Sequence, residues 1–434
     1  MSKFYIHTFG CRCNQADSAS LRAALGGSRD EAENHGEADL VVVNSCTVTH
    51  RSDRQVRQAV RKLHRENPRA RLVVTGCYAE RDPQTIASIP GVNLVVGNAD
   101  KGRLVEILEE EDPSSGGRIV RGPLDPGRDY LVTPASQTGS KTRPFIKLQD
   151  GCDARCSYCV IPAVRGPGRS GRPDDILNEI RVLVDHGYQE IVLTGVHLGT
   201  YGRRLDPPTR LVDLLERILE TPGLGRLRLS SIEPMRFSRG IVRLAVTNRA
   251  FAPHFHIPLQ SGSDRILRRM RRPYTAARFE ELLAYIRAQL PAAAIGTDVM
   301  VAFPGETDRD FEETCDLVRR SPLTYLHVFP FSAREGTDAY SMPDRVPPQA
   351  ARERARALQQ ISLEKNLAFR RGFLGKVIPA ITLAKEEAMG DAVVLTENYI
   401  HARIPAGILP PNRLIDVRIE DVRPDTTCAR PASA

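Results

Sequence analysis

Cys152, Cys156 and Cys159 fall at the spacing C-x3-C-x2-C in one loop, directly after an apolar run from Pro144 to Leu148 that reads as a strand. Thiolates are soft ligands that suit iron–sulfur clusters and zinc. A structural zinc wants four protein ligands. No fourth Cys or His stands at zinc-ribbon distance, since His186 and His197 each lie beyond a predicted helix. Three thiolates on a [4Fe–4S] cube leave one iron open to a small molecule. Buried structural cysteines are common singly, but three in one loop are not, so the loop is read as a cluster site.

Three more cysteines are far apart in sequence yet occupy one kind of position. Cys11 follows a strand-like run from Lys3 to Thr8, Cys46 one from Leu40 to Asn44, and Cys77 one from Arg71 to Thr75. Each run is followed by helix-like sequence, so the strands should be parallel, with their carboxyl ends on one ligand-binding edge. Gly10 and Gly76 let the backbone approach a bulky group closely. Any one of these thiols alone reads equally well as an ordinary buried Cys; three at the same strand end point to a second cluster. Cys13 is read as a bystander and Cys315 as a small core residue.

The elements that must position these thiols divide the chain into four stretches. Residues 1–111 read as an open parallel α/β sheet, with a further strand at Val92–Val96 and an amphipathic helix at Ser52–Arg65. Residues 112–144 are rich in turn residues and lack an apolar period, which reads as linker. In residues 145–370 six strand-like runs (145–148, 190–194, 226–230, 254–259, 296–302 and 325–331) alternate with helices. That pattern suggests a partial (β/α)6 barrel with chemistry at the carboxyl ends of its strands. Residues 371–434 alternate apolar and polar at Val377–Leu383, Ala392–Thr396 and Leu414–Ile419, as a small all-β barrel would, and residues 424–434, Cys428 included, look disordered. Such barrels often bind oligonucleotides; Lys376, Lys385, Tyr399, His401 and Arg403 are the candidate RNA-facing residues, although a solvated charged face explains them nearly as well.

The composition fits a soluble globular protein, 41% hydrophobic and 26% charged. There is no signal-peptide core after Met1 and no apolar run of about 18 residues, so a cytoplasmic protein with no membrane span is expected. Nine cysteines, clustered rather than paired, argue for metal over disulfides. The net charge of +8 is compatible with a polyanionic partner, but the excess is almost all Arg, a skew that biased base composition alone would give.

Taken with Tyr158, the loop Cys152-x3-Cys156-x2-Cys159 resembles the signature of the radical S-adenosylmethionine (SAM) enzymes. Further stretches extend the resemblance to the radical SAM methylthiotransferases: Gly10-Cys11 with Asn14-Gln15, Asn44-Ser45-Cys46-Thr47-Val48, Gly76-Cys77, Ser231-Ile232-Glu233-Pro234, Pro258-Leu259-Gln260-Ser261-Gly262 and Phe303-Pro304-Gly305-Glu306-Thr307. Cys13 departs from the family pattern, which more often has an apolar residue there.

The resemblance implies an N-terminal domain with an auxiliary cluster, a radical SAM barrel and a C-terminal TRAM-like RNA-binding domain. It implies two [4Fe–4S] clusters, on Cys152, Cys156 and Cys159 and on Cys11, Cys46 and Cys77, with no catalytic side chain beyond these ligands. Tyr158 should lie beside the cluster or the adenine of SAM. Free carbonyls at Thr194-Gly195 suit the SAM ammonium, Ser231 or Glu233 suits the ribose, and Gln260 is a further cofactor-binding candidate, though as a surface acid (Glu233) or a turn and helix cap (Gln260) they need no ligand. His197 and His256 can both be ordinary satisfied residues.

The expected partners are the anticodon stem-loop of tRNA and an electron donor such as flavodoxin or ferredoxin. The stretch Val196-His197-Leu198-Gly199-Thr200-Tyr201-Gly202 looks most like the branch that adds a methylthio group to C2 of N6-threonylcarbamoyladenosine. The alternatives are isopentenyladenosine in tRNA, an aspartate of a ribosomal protein or, in another class, a non-catalytic iron–sulfur RNA-binding protein.

Overall fold

The computed structural model describes residues 2–110, 116–125, 142–386, 392–405 and 409–432. Six parallel strands, β1 (Lys3–Thr8), β2 (Asp30–Glu31), β3 (Leu40–Ser45), β4 (Arg71–Gly76), β5 (Val92–Val96) and β6 (Arg118–Val120), form the N-terminal sheet in the order β2-β1-β3-β4-β5-β6. β3 is buried along its whole length, as a parallel sheet covered on both faces requires. The helix His50–Glu66 buries Val56, Val60 and Leu63, and Thr49 and Ser52 close a capping box at its start. β2 and β6 were not expected. β6 lies in the segment read as linker, where three residues between turns carry too short a pattern to show, yet they pair with the edge of β5.

The central region follows with β7 (Phe145–Asp150), β8 (Arg169–Ser170), β9 (Glu190–Gly195), β10 (Arg226–Leu229), β11 (His254–His256), β12 (Ala294–Val301) and β13 (Tyr325–Pro330). β7, β9 and β10 are parallel neighbours, as are β11, β12 and β13. Parallel bridges from Leu227 to Phe251 and from Ser231 to His256 join the two sets. Six parallel strands in chain order thus make the expected arc, and the short β8 runs antiparallel beside β7.

Alternation along the strands sorts the side chains. Ile146, Leu148, Ile191, Leu193, Leu227, Leu229, Phe255, Ile295, Val299 and Leu326 enter the core beneath the helices. Lys147, Thr194, Arg228, His256, Asp298 and His327, at the intervening positions, face the concave side. The N-terminal helix Arg12–Gly26 lies against that concave side at β7 and β9. Lys147 Nζ donates to Asp17 at 2.5 Å, Cys13 Sγ lies 3.8 Å from Thr194 Oγ1, and the Arg12 guanidinium sits 6.0 Å above the Phe145 ring.

The C-terminal strands β14 (Val377–Glu386), β15 (Ala392–Thr396), β16 (His401–Ile404), β17 (Leu414–Val422) and β18 (Thr427–Pro431) close a barrel in the order β14-β15-β16-β18-β17. For the described residues 424–432 the expectation of disorder is overturned, because β18 pairs with β17 on one side and β16 on the other. A five-residue strand flanked by prolines shows little pattern by itself. It is ordered by closing the barrel, which leaves no free edge, and by Arg370, which donates to the carbonyls of Arg423, Pro424 and Thr426 and to Thr427 Oγ1. Among the described residues no helix is long and apolar enough to cross a membrane.

Candidate functional site

β1, β3 and β4 are adjacent in the sheet, so Cys11, Cys46 and Cys77 stand at neighbouring strand ends. Cys11 is the N-cap of the helix Arg12–Gly26, and Cys77 opens the helix Cys77–Arg81. Gly10 adopts φ +89°, and a Cβ there would lie 2.8 Å from Cys46 Sγ, so the hydrogen side chain keeps the trio open. Burial, then the neighbouring Cys77, pushes the Cys46 thiol up to about 12. Such a group ionises at neutral pH only with a cation to receive it. Cys13 hydrogen-bonds Cys11, a contact that lowers Cys11 to about 6 and raises Cys13.

The loop of Cys152, Cys156 and Cys159 lies at the carboxyl end of β7. Arg272 Nη1 donates to Cys156 Sγ at 3.1 Å and pairs with Glu233 through its other amino group, while the Ala154 amide donates to Cys152 Sγ at 3.4 Å. Burial pushes Cys159 up to about 12, with Cys156 and Cys152 adding to the shift. Tyr158 is packed edge-on to Phe303 at 6.4 Å. A cavity of about 570 Å³ opens on this trio, with Arg155, Arg204 and Arg271 among its lining.

The six thiols are free of disulfides. Among the described residues only His256, Asp298 and His327 bring three ligand atoms within 4.8 Å of one another. Each cysteine trio is therefore spread wider than the roughly 3.8 Å between sulfurs that a single tetrahedral zinc at about 2.3 Å imposes. Two open trios of thiols suit a polynuclear iron–sulfur cluster better than one ion.

The two trios are neighbours through the helix Ile161–Arg165. Cys77 packs with Val160 and Val164, and Asn98 Nδ2 reaches both Cys77 Sγ (3.8 Å) and the Val164 carbonyl (2.6 Å). Arg165, fully buried, donates to Asp150 at 2.7 Å, to Asp17 at 3.0 Å and to Asn14. A second tie is Arg334, whose Nη2 donates to Asp53 at 2.6 Å and Thr47 at 2.7 Å. The 570 Å³ cavity is lined by the Cys152 trio and by none of the Cys11 trio.

Among the expected cofactor-binding residues, Thr194 and Gly195 end β9, Ser231 follows β10, and Gln260 sits at φ +67° beyond β11. Gln260 Oε1 and His197 Nδ1 are buried without a hydrogen-bond partner, so His197 is not an ordinary satisfied residue; burial lowers it to about 4. Ser231 Oγ lies 2.8 Å from His256 Nδ1. Arg272, Arg165, Asp17 and Arg334 escaped sequence reasoning: nothing local distinguishes them from the many other arginines and acids.

Tyr399 is half-buried, and its ring is engaged within the protein rather than presented outward. It stacks on His254 at 4.0 Å, lies 5.3 Å under the Arg228 guanidinium and accepts from Arg12 Nη2 at 3.0 Å, because β15 and β16 turn inward beneath the central arc. Lys376 and His401 are exposed and Arg403 half-buried, while the side chain of Lys385 lies outside the described residues.

A model of the radical SAM superfamily matches residues 146–318, and one described as uncharacterized protein family UPF0004 matches residues 3–97. The threonylcarbamoyladenosine tRNA methylthiotransferase MtaB of Aquifex aeolicus is 37% identical over 399 residues, covering 92% of this chain and 95% of that protein. MtaB of Bacillus subtilis is 34% identical over 92% of this chain and 90% of that protein. The tRNA-2-methylthio-N(6)-dimethylallyladenosine synthase of Acidothermus cellulolyticus is 34% identical over 97% and 84%, respectively. Among solved structures, the radical SAM methyltransferase TsrM of Kitasatospora setae shares the fold, with TM-score 0.55 and 16% identity over 78% of this chain and 77% of that one.

Proposed function

The chain belongs to the tRNA methylthiotransferases of the radical SAM superfamily, and from that premise we propose that it adds a methylthio group to C2 of N6-threonylcarbamoyladenosine beside the tRNA anticodon. When bound, two [4Fe–4S] clusters and SAM supply the one-electron SAM cleavage and the sulfur for the new C–S–CH3 group. Cys152, Cys156 and Cys159 hold the first cluster in this reading, and Cys11, Cys46 and Cys77 the second.

The remaining residues bind and orient. Arg272 places a positive charge and an N–H on Cys156 while fixing Glu233. Gln260 Oε1 offers an unspent acceptor and the Thr194-Gly195 backbone its carbonyls, both suited to an ammonium, and Ser231 suits a ribose hydroxyl. Tyr158, half-buried against Phe303, shields that side from water. With Arg204 and Arg271 paired to Asp153 and Asp338, Arg155 leaves the mouth of the 570 Å³ cavity net positive, which suits a small acidic electron donor such as flavodoxin or ferredoxin. The closed C-terminal barrel, with Lys376 and His401 exposed on it, suits the anticodon stem-loop, and such a substrate fits a cytoplasmic enzyme.

The observation that carries this reading is the juncture at Arg165, whose contacts to Asp150, Asp17 and Asn14 tie the helix after the first trio to the helix after Cys11. Nucleoside mass spectrometry of tRNA from cells lacking the gene tests it. Loss of 2-methylthio-N6-threonylcarbamoyladenosine, restored by the gene, is expected; an unchanged profile overturns it. The dimethylallyladenosine synthases, 34% identical over 84–97% of this chain, make isopentenyladenosine the second reading, and the same profile distinguishes the two.

A further inference from the structure

Three neighbouring strands of the central arc each turn one polar side chain to the concave side: His256 on β11, Asp298 on β12 and His327 on β13. Their ligand atoms lie within 4.8 Å of one another. His327 Nδ1 is 3.2 Å from Asp298 Oδ1, and His256 Nε2 is 3.3 Å from the same oxygen. The carboxylate is held well below its usual range: burial opposes the charge, and the two imidazoles outweigh burial. It is therefore an anion, and His327 presents it with an N–H from Nδ1.

What remains unspent is informative. His256 is buried, yet its Nε2 lacks the alignment of a hydrogen bond, leaving a donor without a full acceptor. Asp298 Oδ1 faces both rings, and Oδ2 is left as an acceptor. The side chain of His327 is 63% exposed, and it is Nδ1 that meets Asp298. The cluster offers donors and acceptors together, on rigid strands, and none of it touches the cysteine loops. An apolar group pressed against it would cover Asp298 and the His327 ring without answering their remaining hydrogen-bonding groups, at a cost in binding.

We propose that His256, Asp298 and His327 are the specificity-determining residues that receive the N6-substituent of the nucleoside, selecting a polar substituent with N–H or O–H donors and carbonyl or carboxylate acceptors over a hydrocarbon one. This rests on the reading of the chain as a nucleoside methylthiotransferase and names what that site selects. Threonylcarbamoyl carries both donors and acceptors; isopentenyl carries neither. Sites built to hydrogen-bond a substrate discriminate strongly against analogues that cannot answer. His256 also acts on the other side, since its Nδ1 holds Ser231, so His327 is the cleaner probe.

The test uses the anaerobically reconstituted full chain and two stem-loops, one threonylcarbamoylated and one isopentenylated. His327→Phe should lower kcat/KM for the threonylcarbamoyl substrate on the order of 10- to 100-fold, mostly through KM, and leave the isopentenyl substrate unchanged or better. Asp298→Asn is the second variant and should move the ratio the same way. An unchanged ratio in both variants, with the wild type acting on the threonylcarbamoyl stem-loop, overturns the proposal and spares the family reading. Preference of the wild type for the isopentenyl stem-loop overturns both the substrate reading and this proposal. Stoichiometric non-iron metal in the wild type that His327→Phe loses would show a cation in the cluster, and would also overturn it.

Discussion

Arg165, on the helix that follows the Cys152 loop, donates to Asp17, on the helix that follows Cys11, at 3.0 Å with both side chains buried. Asp17 also accepts from Lys101 at 2.9 Å and Lys147 at 2.5 Å. One carboxylate thus gathers Lys101 from the turn after β5, Lys147 from β7 of the central arc and Arg165 from the helix Ile161–Arg165. Its carboxyl is held ionised well below the usual carboxylate range: burial opposes ionisation, and Lys101, Lys147 and Arg165 prevail.

Asp17→Asn leaves those buried cations short of an anion. Removing one partner of a buried ionic set costs about 3–5 kcal/mol. Urea unfolding should show the loss, and the variant should cleave SAM without transferring sulfur efficiently, because the trios lose their common anchor. Wild-type stability together with wild-type coupling would show that Asp17 does not join them.

The two trios should separate by function. Cys156→Ala abolishes SAM cleavage, read as 5′-deoxyadenosine. Cys46→Ala leaves cleavage but stops sulfur insertion, and iron content falls by one cluster in each. Sulfur insertion persisting in Cys46→Ala would overturn the assigned roles.

Gly10→Ala should behave like Cys46→Ala. The left-handed φ of +89° disfavours a side chain, and the added methyl would press on Cys46 at 2.7–2.8 Å. Iron analysis should show one cluster lost or labile, with SAM cleavage retained; full iron and full product would mean the loop accommodates the methyl.

The floor of the arc sets a pH dependence. Glu190 faces Arg143, Arg226 and Arg228; burial opposes its charge, but Arg228 first and then Arg143 and Arg226 hold it at about 2. A lowered carboxyl stabilises fully above its unfolded value of about 4.3 and loses that contribution as pH falls toward 2. The acid limb of a stability profile between about pH 5 and 2 should flatten in Glu190→Gln, which should also be less stable at neutral pH. An unaltered acid limb would exclude this group as its source.

Deleting residues 424–434 should open the C-terminal barrel. β17 and β16 lose their shared neighbour, and Arg370 loses the acceptors that pin the turn. Limited proteolysis should then cut within residues 377–422, and stem-loop affinity should fall while SAM cleavage without RNA persists. Unchanged protection and affinity would show that the strand is dispensable.

The sequence by itself determined the chemistry of this protein and most of its elements. The C-x3-C-x2-C loop, the strand-end placement of Cys11, Cys46 and Cys77, and the six βα alternations are local patterns, set by spacing and by side-chain periods of two and of 3.6. Tertiary structure decided what no window of sequence carries. Strand order made β1, β3 and β4 neighbours. Closure of the barrel ordered Thr427–Pro431 and turned Tyr399 inward. Long-range pairing picked Asp17, Arg165, Arg272 and Arg334 from many similar residues, because a buried charge takes its meaning from the partner opposite it, and that partner is set by the fold.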